Sequence, residues 1–94
     1  MNIKTEIKQF LVELGLNEVE IATYLAVLEL GSGSASGIAK LANLNRITGY
    51  EALKRLSRKG FVYIRAKKND RTKYFVPVDY GNIIEKLKNK FETV

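Results

Sequence analysis

A mainly α-helical domain carrying one small β-hairpin is predicted by three features of this 94-residue chain. Apolar residues recur at helical spacing in four successive stretches up to Gly60. From Phe61 to Val78 the pattern changes to two strand-like segments on either side of a polar turn. After Asp79 the helical spacing returns. The length suits one domain, residues 1–94, able to bury roughly 60–65% of its unfolded surface, so the core is small.

Ile3, Ile7, Phe10, Leu11 and Leu14 share one face of a first helix, which Gly15 is placed to stop. Asn17, with Glu20 three residues on, forms a capping box ahead of IATYLAVLEL, a second helix that runs to Leu30. Glu18 and Glu20 are therefore helix-start residues; as paired catalytic carboxylates they lack any second catalytic group nearby in sequence. Gly31, Ser32 and Gly33 break the helix. The GSGS run lacks the Gly-Lys-Ser/Thr ending of a P-loop and no strand precedes it, so it reads as a simple turn. Ser34 is the candidate N-cap of a short third helix, ASGIAKLANL, with Ile38, Ala39, Leu41 and Ala42 on its apolar side. Ser34 and Ser36 stand at that helix start as candidate neighbours of a phosphate.

Only Asn43, Leu44 and Asn45 separate this helix from the next, and a basic second helix after so short a connection is a helix-turn-helix arrangement. The fourth stretch, NRITGYEALKRLSRKGF, has two faces when its residues are set 100° apart. Gly49, Ala52, Leu53, Leu56 and Gly60 fall on one side, which must be core. Gly49 lowers helix propensity by about 1 kcal/mol relative to alanine, so its place there predicts close approach by a neighbouring helix. Ile47, Glu51, Lys54, Arg55 and Arg58 fall on the other side, with Thr48 and Lys59 on one margin and Tyr50 near the opposite one. Burial does not explain that side, whereas an α-helix fits the DNA major groove with its N-terminal residues near base edges and its cations near phosphates.

FVYIRAK and TKYFVPV flank the turn Lys68-Asn69-Asp70-Arg71, and Pro77 sits near the second strand's end, where a missing N–H is tolerable. A hairpin after a helix-turn-helix is a wing. The predicted fold is accordingly mainly α with a small β-hairpin, a winged helix-turn-helix with added N-terminal and C-terminal helices. Its helix-turn-helix spans about 34–60, its wing about 61–78 and a C-terminal dimerisation helix about 80–93.

Charge agrees with this layout. Residues 1–44 hold three lysines against five glutamates, residues 45–78 hold ten Lys/Arg against Glu51 and Asp70, and residues 79–94 balance, giving the net +6. Such clustering points to a polyanion partner, double-stranded DNA, against the alternative of a merely solvated charged face. Expected phosphate contacts are Arg46, Arg55, Arg58, Arg71 and Lys73, with Lys67 and Lys68 at the wing tip; expected base-facing residues are Ile47, Thr48, Tyr50, Glu51 and Lys54. Ile47 suits a thymine methyl and Glu51 a cytosine amino group.

The absence of histidine and cysteine removes disulfides, Cys/His zinc sites and every triad needing a thiol or imidazole, so no enzyme, no metal and no cofactor are expected. The first sixteen residues alternate charge with apolar side chains, unlike a signal peptide, and no apolar run approaches the roughly 20 residues that span a bilayer. The expectation is a cytoplasmic protein with no membrane partner.

The ordered set LGLNEVEIATYLAVLELG, SASGIAKLANLNR and YEALKRLSRKGFV, then a wing with Arg71 and Tyr74 ahead of Val78-Asp79, resembles the N-terminal DNA-binding domain of TrmB-family transcriptional regulators. That winged-helix family is known largely from archaea and often joins this domain to a sugar-sensing one. The resemblance covers most of residues 10–79, and MarR-like winged helices share the LxRLxxKG portion. Gly37 stands where the family usually has glutamate, and Tyr80 where it usually has proline. The resemblance implies a DNA-binding domain, read as stand-alone with the front of a longer regulator left open; with no sensing domain before Val94, the sugar response is not carried over and no effector is assigned.

Tyr80, Ile84, Leu87, Phe91 and Val94 form a heptad-like seam, which either packs on the first helix or pairs with a second copy through Ile84, Leu87 and Phe91. A homodimer suits two recognition helices set about 34 Å apart on one duplex face. The reading that results is a sequence-specific DNA-binding transcriptional regulator. The alternatives are a non-specific architectural DNA binder and a winged-helix protein-protein interaction module.

Overall fold

The computed structural model describes residues 3–66 and 70–78, with side chains from residue 5 onward. In chain order the elements are α1 (Ile3–Glu13), α2 (Glu18–Leu30), β1 (Gly33–Ser34), α3 (Ala35–Leu41), α4 (Arg46–Arg58), β2 (Val62–Ala66) and β3 (Lys73–Pro77). The expected C-terminal helix, with Ile84, Leu87 and Phe91, lies outside the described residues.

α2 is the hub. Its sequence is apolar nearly all the way round, which suits a helix covered on several sides, and it packs against α1, α3, α4 and β3. Asn17 begins it as expected: its side chain accepts from the Glu20 backbone N–H at 2.8 Å while the Glu20 carboxylate accepts from the Asn17 N–H at 2.9 Å. Tyr24 and Val27 are fully buried, and the Tyr24 ring meets Phe61 edge-on at 5.6 Å between centroids. Leu11, Leu16, Ile21, Ile38, Leu53, Leu56, Val62 and Phe75 complete the core around them.

α1, α3 and α4 end in the same way. The residue beyond each cap takes a positive φ and donates to a carbonyl in the last turn, and the residue after it donates to the carbonyl one residue further back: Gly15 to Val12 and Leu16 to Leu11, Asn43 to Lys40 and Leu44 to Ala39, Gly60 to Ser57 and Phe61 to Leu56. This satisfies carbonyls that the helix leaves open. At Asn43, φ is 59°, a conformation asparagine tolerates better than other residues with a Cβ. That left-handed residue makes the turn between α3 and α4.

The helix-turn-helix is tight. A Cβ placed on Gly49 would lie 2.6 Å from the Ala39 Cβ and 3.2 Å from its Cα, so glycine is what lets α4 approach α3 this closely, as the wheel predicted.

One expectation needs correcting. The GSGS run is not simply a turn: Gly33 and Ser34 pair antiparallel with Phe75 and Tyr74, so the sheet has three strands in the order β1-β3-β2. Two residues carry no alternation by which a strand could be recognised; their pairing is set by the distant β3. On the apolar face of α1, Leu11 is fully buried and Ile7 and Leu14 are half-buried, while Phe10 lies at the edge of the stripe, 43% exposed.

In the hairpin, Val62 pairs with Pro77, Ile64 with Phe75 and Ala66 with Lys73. Phe75 roots it in the core, whereas Tyr63, Ile64, Arg65 and Ala66 are exposed as β2 leaves the body of the molecule.

Candidate nucleic-acid interface

The basic helix starts on a local cap. The Asn45 side chain accepts from the Thr48 N–H at 2.7 Å, which fixes the first turn of α4 and leaves other N–H groups of that turn open at the positive end of its dipole. Arg46 and Ile47 are both exposed there. Ile47 is 76% exposed, the most of any large apolar side chain described. An isoleucine left in water beside a cationic surface has no role in the fold of the described residues.

Ile47, Glu51, Lys54 and Arg58 run along the helix at spacings of four, three and four, directly opposite the buried side of Gly49, Ala52, Leu53 and Leu56. Within this stripe Lys54 Nζ lies 3.2 Å from a Glu51 carboxylate oxygen and 5.3 Å from the centroid of the Tyr50 ring. Tyr50 in turn meets Phe75 edge-on at 6.4 Å between centroids. Tyr50 therefore contacts β3 of the wing as well as lying at the surface.

On the wing, Asp70 holds the strand start. Its carboxylate accepts from the Thr72 N–H at 2.9 Å and from the Tyr74 hydroxyl at 3.0 Å. The Asp70 hydrogen bond, with some burial and the Asp70 charge, raises the Tyr74 pKa above its ordinary value. Arg71 and Lys73 are exposed beside it. Lys67 and Lys68 lie outside the described residues. Ser34 caps α3, its hydroxyl accepting from the Gly37 N–H at 3.2 Å, and Ser36 is exposed on the first turn.

Arg55, expected at a phosphate, is tied to α2 in this structure. Its Nε donates to Glu20 Oε2 at 3.1 Å, and Lys59 Nζ donates to both Glu20 oxygens at 2.9 Å. Glu20 itself is buried. Burial alone would raise its pKa, but the Asn17 N–H, Lys59 and Arg55 outweigh that, and the net shift is downward. A depressed folded-state pKa means that the unfolded chain binds the proton more readily. The stability contributed is present above the ordinary value of 4.5 and is lost as pH falls through the lower folded value. Thermal unfolding of the unaltered chain and of Glu20→Gln, compared from pH 7 down to pH 3, should show a gap of about 1–3 kcal/mol that narrows below about pH 4.5. A gap independent of pH would show that the carboxylate charge is not what holds the network.

The family of sugar-specific transcriptional regulators named TrmB matches residues 11–81. The chain belongs to the TrmB family. The HTH-type sugar sensing transcriptional regulator TrmBL1 of Pyrococcus furiosus is 31% identical over 86 residues, which are 92% of this chain and 24% of that relative. The TrmB-family chain thus spans about a quarter of the relative's length. Among solved structures, TrmBL2, described as an archaeal chromatin protein with a novel mode of DNA binding, aligns at TM-score 0.68 and 24% identity over 83% of this chain and 28% of its own. The S. aureus MepR-DNA complex aligns at TM-score 0.68 and 20% identity over 97% of this chain and 77% of MepR. The fold of this TrmB-family domain is that of winged-helix transcriptional regulators, a DNA-binding fold. No helix among the described residues is long and apolar enough to cross a membrane, and no three His, Cys, Asp or Glu side chains among them gather as a metal site would require.

Three features of the TrmB-family domain were missed in the sequence. The Asp70–Thr72 bond, beside which the Tyr74 hydroxyl also donates to Asp70, had a signal, an aspartate in a turn two residues before an N–H donor. The Tyr50–Phe75 contact had none, being 25 residues apart and dependent on where β3 runs. Glu20 was seen as a cap only; its second set of partners, 35 and 39 residues away, comes from the packing of α2 on α4.

Proposed function

We propose that this TrmB-family domain is a sequence-specific double-stranded DNA-binding transcriptional regulator that acts in the cytoplasm as a homodimer. The observation that carries the reading is the outward stripe Ile47, Glu51, Lys54 and Arg58 on α4, with Ile47 76% exposed at its N-terminal end. In a major groove this stripe would set Ile47 and Glu51 against base edges, with Thr48, Tyr50 and Lys54 beside them. Arg46 and Arg58 would meet phosphates, while Arg71, Lys73, Lys67 and Lys68 would extend the contact along the flanking backbone or minor groove. Residues 34–60 would be the helix-turn-helix, 61–78 the wing, and 80–93 the dimerisation helix through Ile84, Leu87 and Phe91. The likeness to a regulator solved on DNA supports this assignment of surfaces.

Selection of bound duplexes from a random pool tests it. A palindromic motif with half-sites about one helical turn apart is the expected product. The likeness to an archaeal chromatin protein favours a second reading, a non-specific architectural binder, for which the pool would yield salt-sensitive binding without a motif.

The wing makes its own prediction. Arg71→Ala should weaken binding to all duplexes alike and flatten the plot of log affinity against log salt by about 0.9 per lost phosphate contact. An unchanged slope would remove Arg71 from the interface.

A further inference from the structure

Five cations lie on or cap α4, and they do not share one environment. Lys54 pairs with Glu51 on its own helix and Arg46 and Arg58 are exposed, whereas Arg55 and Lys59, four residues apart on one margin, both reach across to α2 and end on Glu20. The Glu20 side chain is 1% exposed, against 34% for Arg55 and 39% for Lys59. Its two oxygens accept from the Asn17 N–H, Arg55 Nε and Lys59 Nζ, and Lys59 Nζ also lies 3.5 Å from the Gly15 carbonyl oxygen.

The asymmetry of burial decides which partner is free to leave. A buried carboxylate stripped of its cations is strongly destabilised, while a partly exposed arginine or lysine is readily hydrated. A phosphate competing for Arg55 or Lys59 would strip the Glu20 anion of one of its two cations and set a second anion beside it. Both cations are thereby committed to α2. The same contacts fix the rotation of α4 about its own axis: Gly49 lets the helix come close to α3, and Glu20 grips the margin that would otherwise be free to roll.

We propose that Glu20 is a positioning residue for DNA binding: it withholds Arg55 and Lys59 from the duplex and locks the roll of α4, so that Ile47, Glu51, Lys54 and Arg58 face the groove. The proposal rests on the DNA-binding reading above and refines it, because it divides one basic helix into a contacting set and a structural set.

The test uses the full chain, the duplex recovered from the random pool and a non-specific duplex of equal length. Arg55→Met and Lys59→Met each leave Glu20 one cationic partner and should leave the slope of log affinity against log salt unchanged, whereas Arg58→Ala should reduce its magnitude by about 0.9 per lost contact. Glu20→Gln should lower the ratio of specific to non-specific affinity at least tenfold. A simple loss of folded protein would scale both affinities equally and leave that ratio where it was. The proposal is overturned if Arg55→Met flattens the slope as much as Arg58→Ala does, or if folded Glu20→Gln keeps the unaltered ratio. Should Glu20→Gln fail to fold, the Arg55→Met and Lys59→Met slopes decide the question alone, since both variants retain a paired carboxylate. Absence of any salt-dependent duplex binding by the unaltered chain would overturn the DNA-binding reading, and this proposal with it.

Discussion

Raising salt fourfold, from 50 to 200 mM, should lower the affinity of this domain for duplex DNA by about four orders of magnitude if it binds as a dimer and about two if it binds as a monomer. The estimate counts four phosphate-facing cations per chain: Arg46 and Arg58 on α4, and Arg71 and Lys73 on the wing, all exposed. Arg55 and Lys59 are left out because Glu20 holds them. At about 0.9 released counterions per contact, the slope is about −3.6 for one chain and about −7.2 for two. Fluorescence anisotropy across a salt series reads it directly. A slope near zero would leave the basic surface without a partner, and a slope near −9 would show one further contact per chain, from Lys67, Lys68 or Arg55, which Arg55→Met then separates.

Gly49→Ala should lower the thermal unfolding midpoint by about 5–15 °C. The added methyl improves helix propensity by about 1 kcal/mol, so propensity alone predicts stabilisation. Packing opposes it more strongly. The new Cβ would stand 2.6 Å from the Ala39 Cβ and 3.2 Å from the Ala39 Cα, and the second of these atoms is backbone that moves only with α3. Overpacking of this kind costs about 1–3 kcal/mol beyond the propensity gain, and a domain this size shifts about 4–8 °C for each kcal/mol. Ala39→Gly in the same chain removes the nearer clash and should recover part of the loss. A midpoint raised by Gly49→Ala alone would mean that α3 and α4 are not in close contact.

What the sequence revealed and what it hid divide along sequence distance. Asn17 and Ser34 cap their helices through bonds spanning three residues, so spacing alone exposed them, whereas Asn45, read only as part of the turn, caps α4 in the same way. The buried side of α4 and the reason for Gly49 followed from a 100° step. The two-residue strand β1 did not, because Gly33 and Ser34 are strand only by virtue of Phe75 and Tyr74. Arg55 was sorted by the same helical step onto the outer side, where its charge matched its neighbours; its engagement depends on a carboxylate brought from another helix. Tyr50 illustrates both cases. Its exposure was legible, while its contact with Phe75 required the path of the hairpin. Within the candidate interface, therefore, the sequence distinguished the outward from the buried face of α4, and tertiary packing then separated outward cations that are available from those already engaged.

The central claim is that the outward stripe of α4 reads base pairs. The most direct measurement is a pair of random-pool selections, one with the unaltered chain and one with Ile47→Ala, analysed position by position. Ile47 is 76% exposed, so its truncation leaves the core untouched. The account predicts a motif whose preference collapses at one position in each half-site, worth roughly 1–3 kcal/mol, while the remaining positions and the salt slope stay as they were. Identical motifs from the two proteins would contradict it.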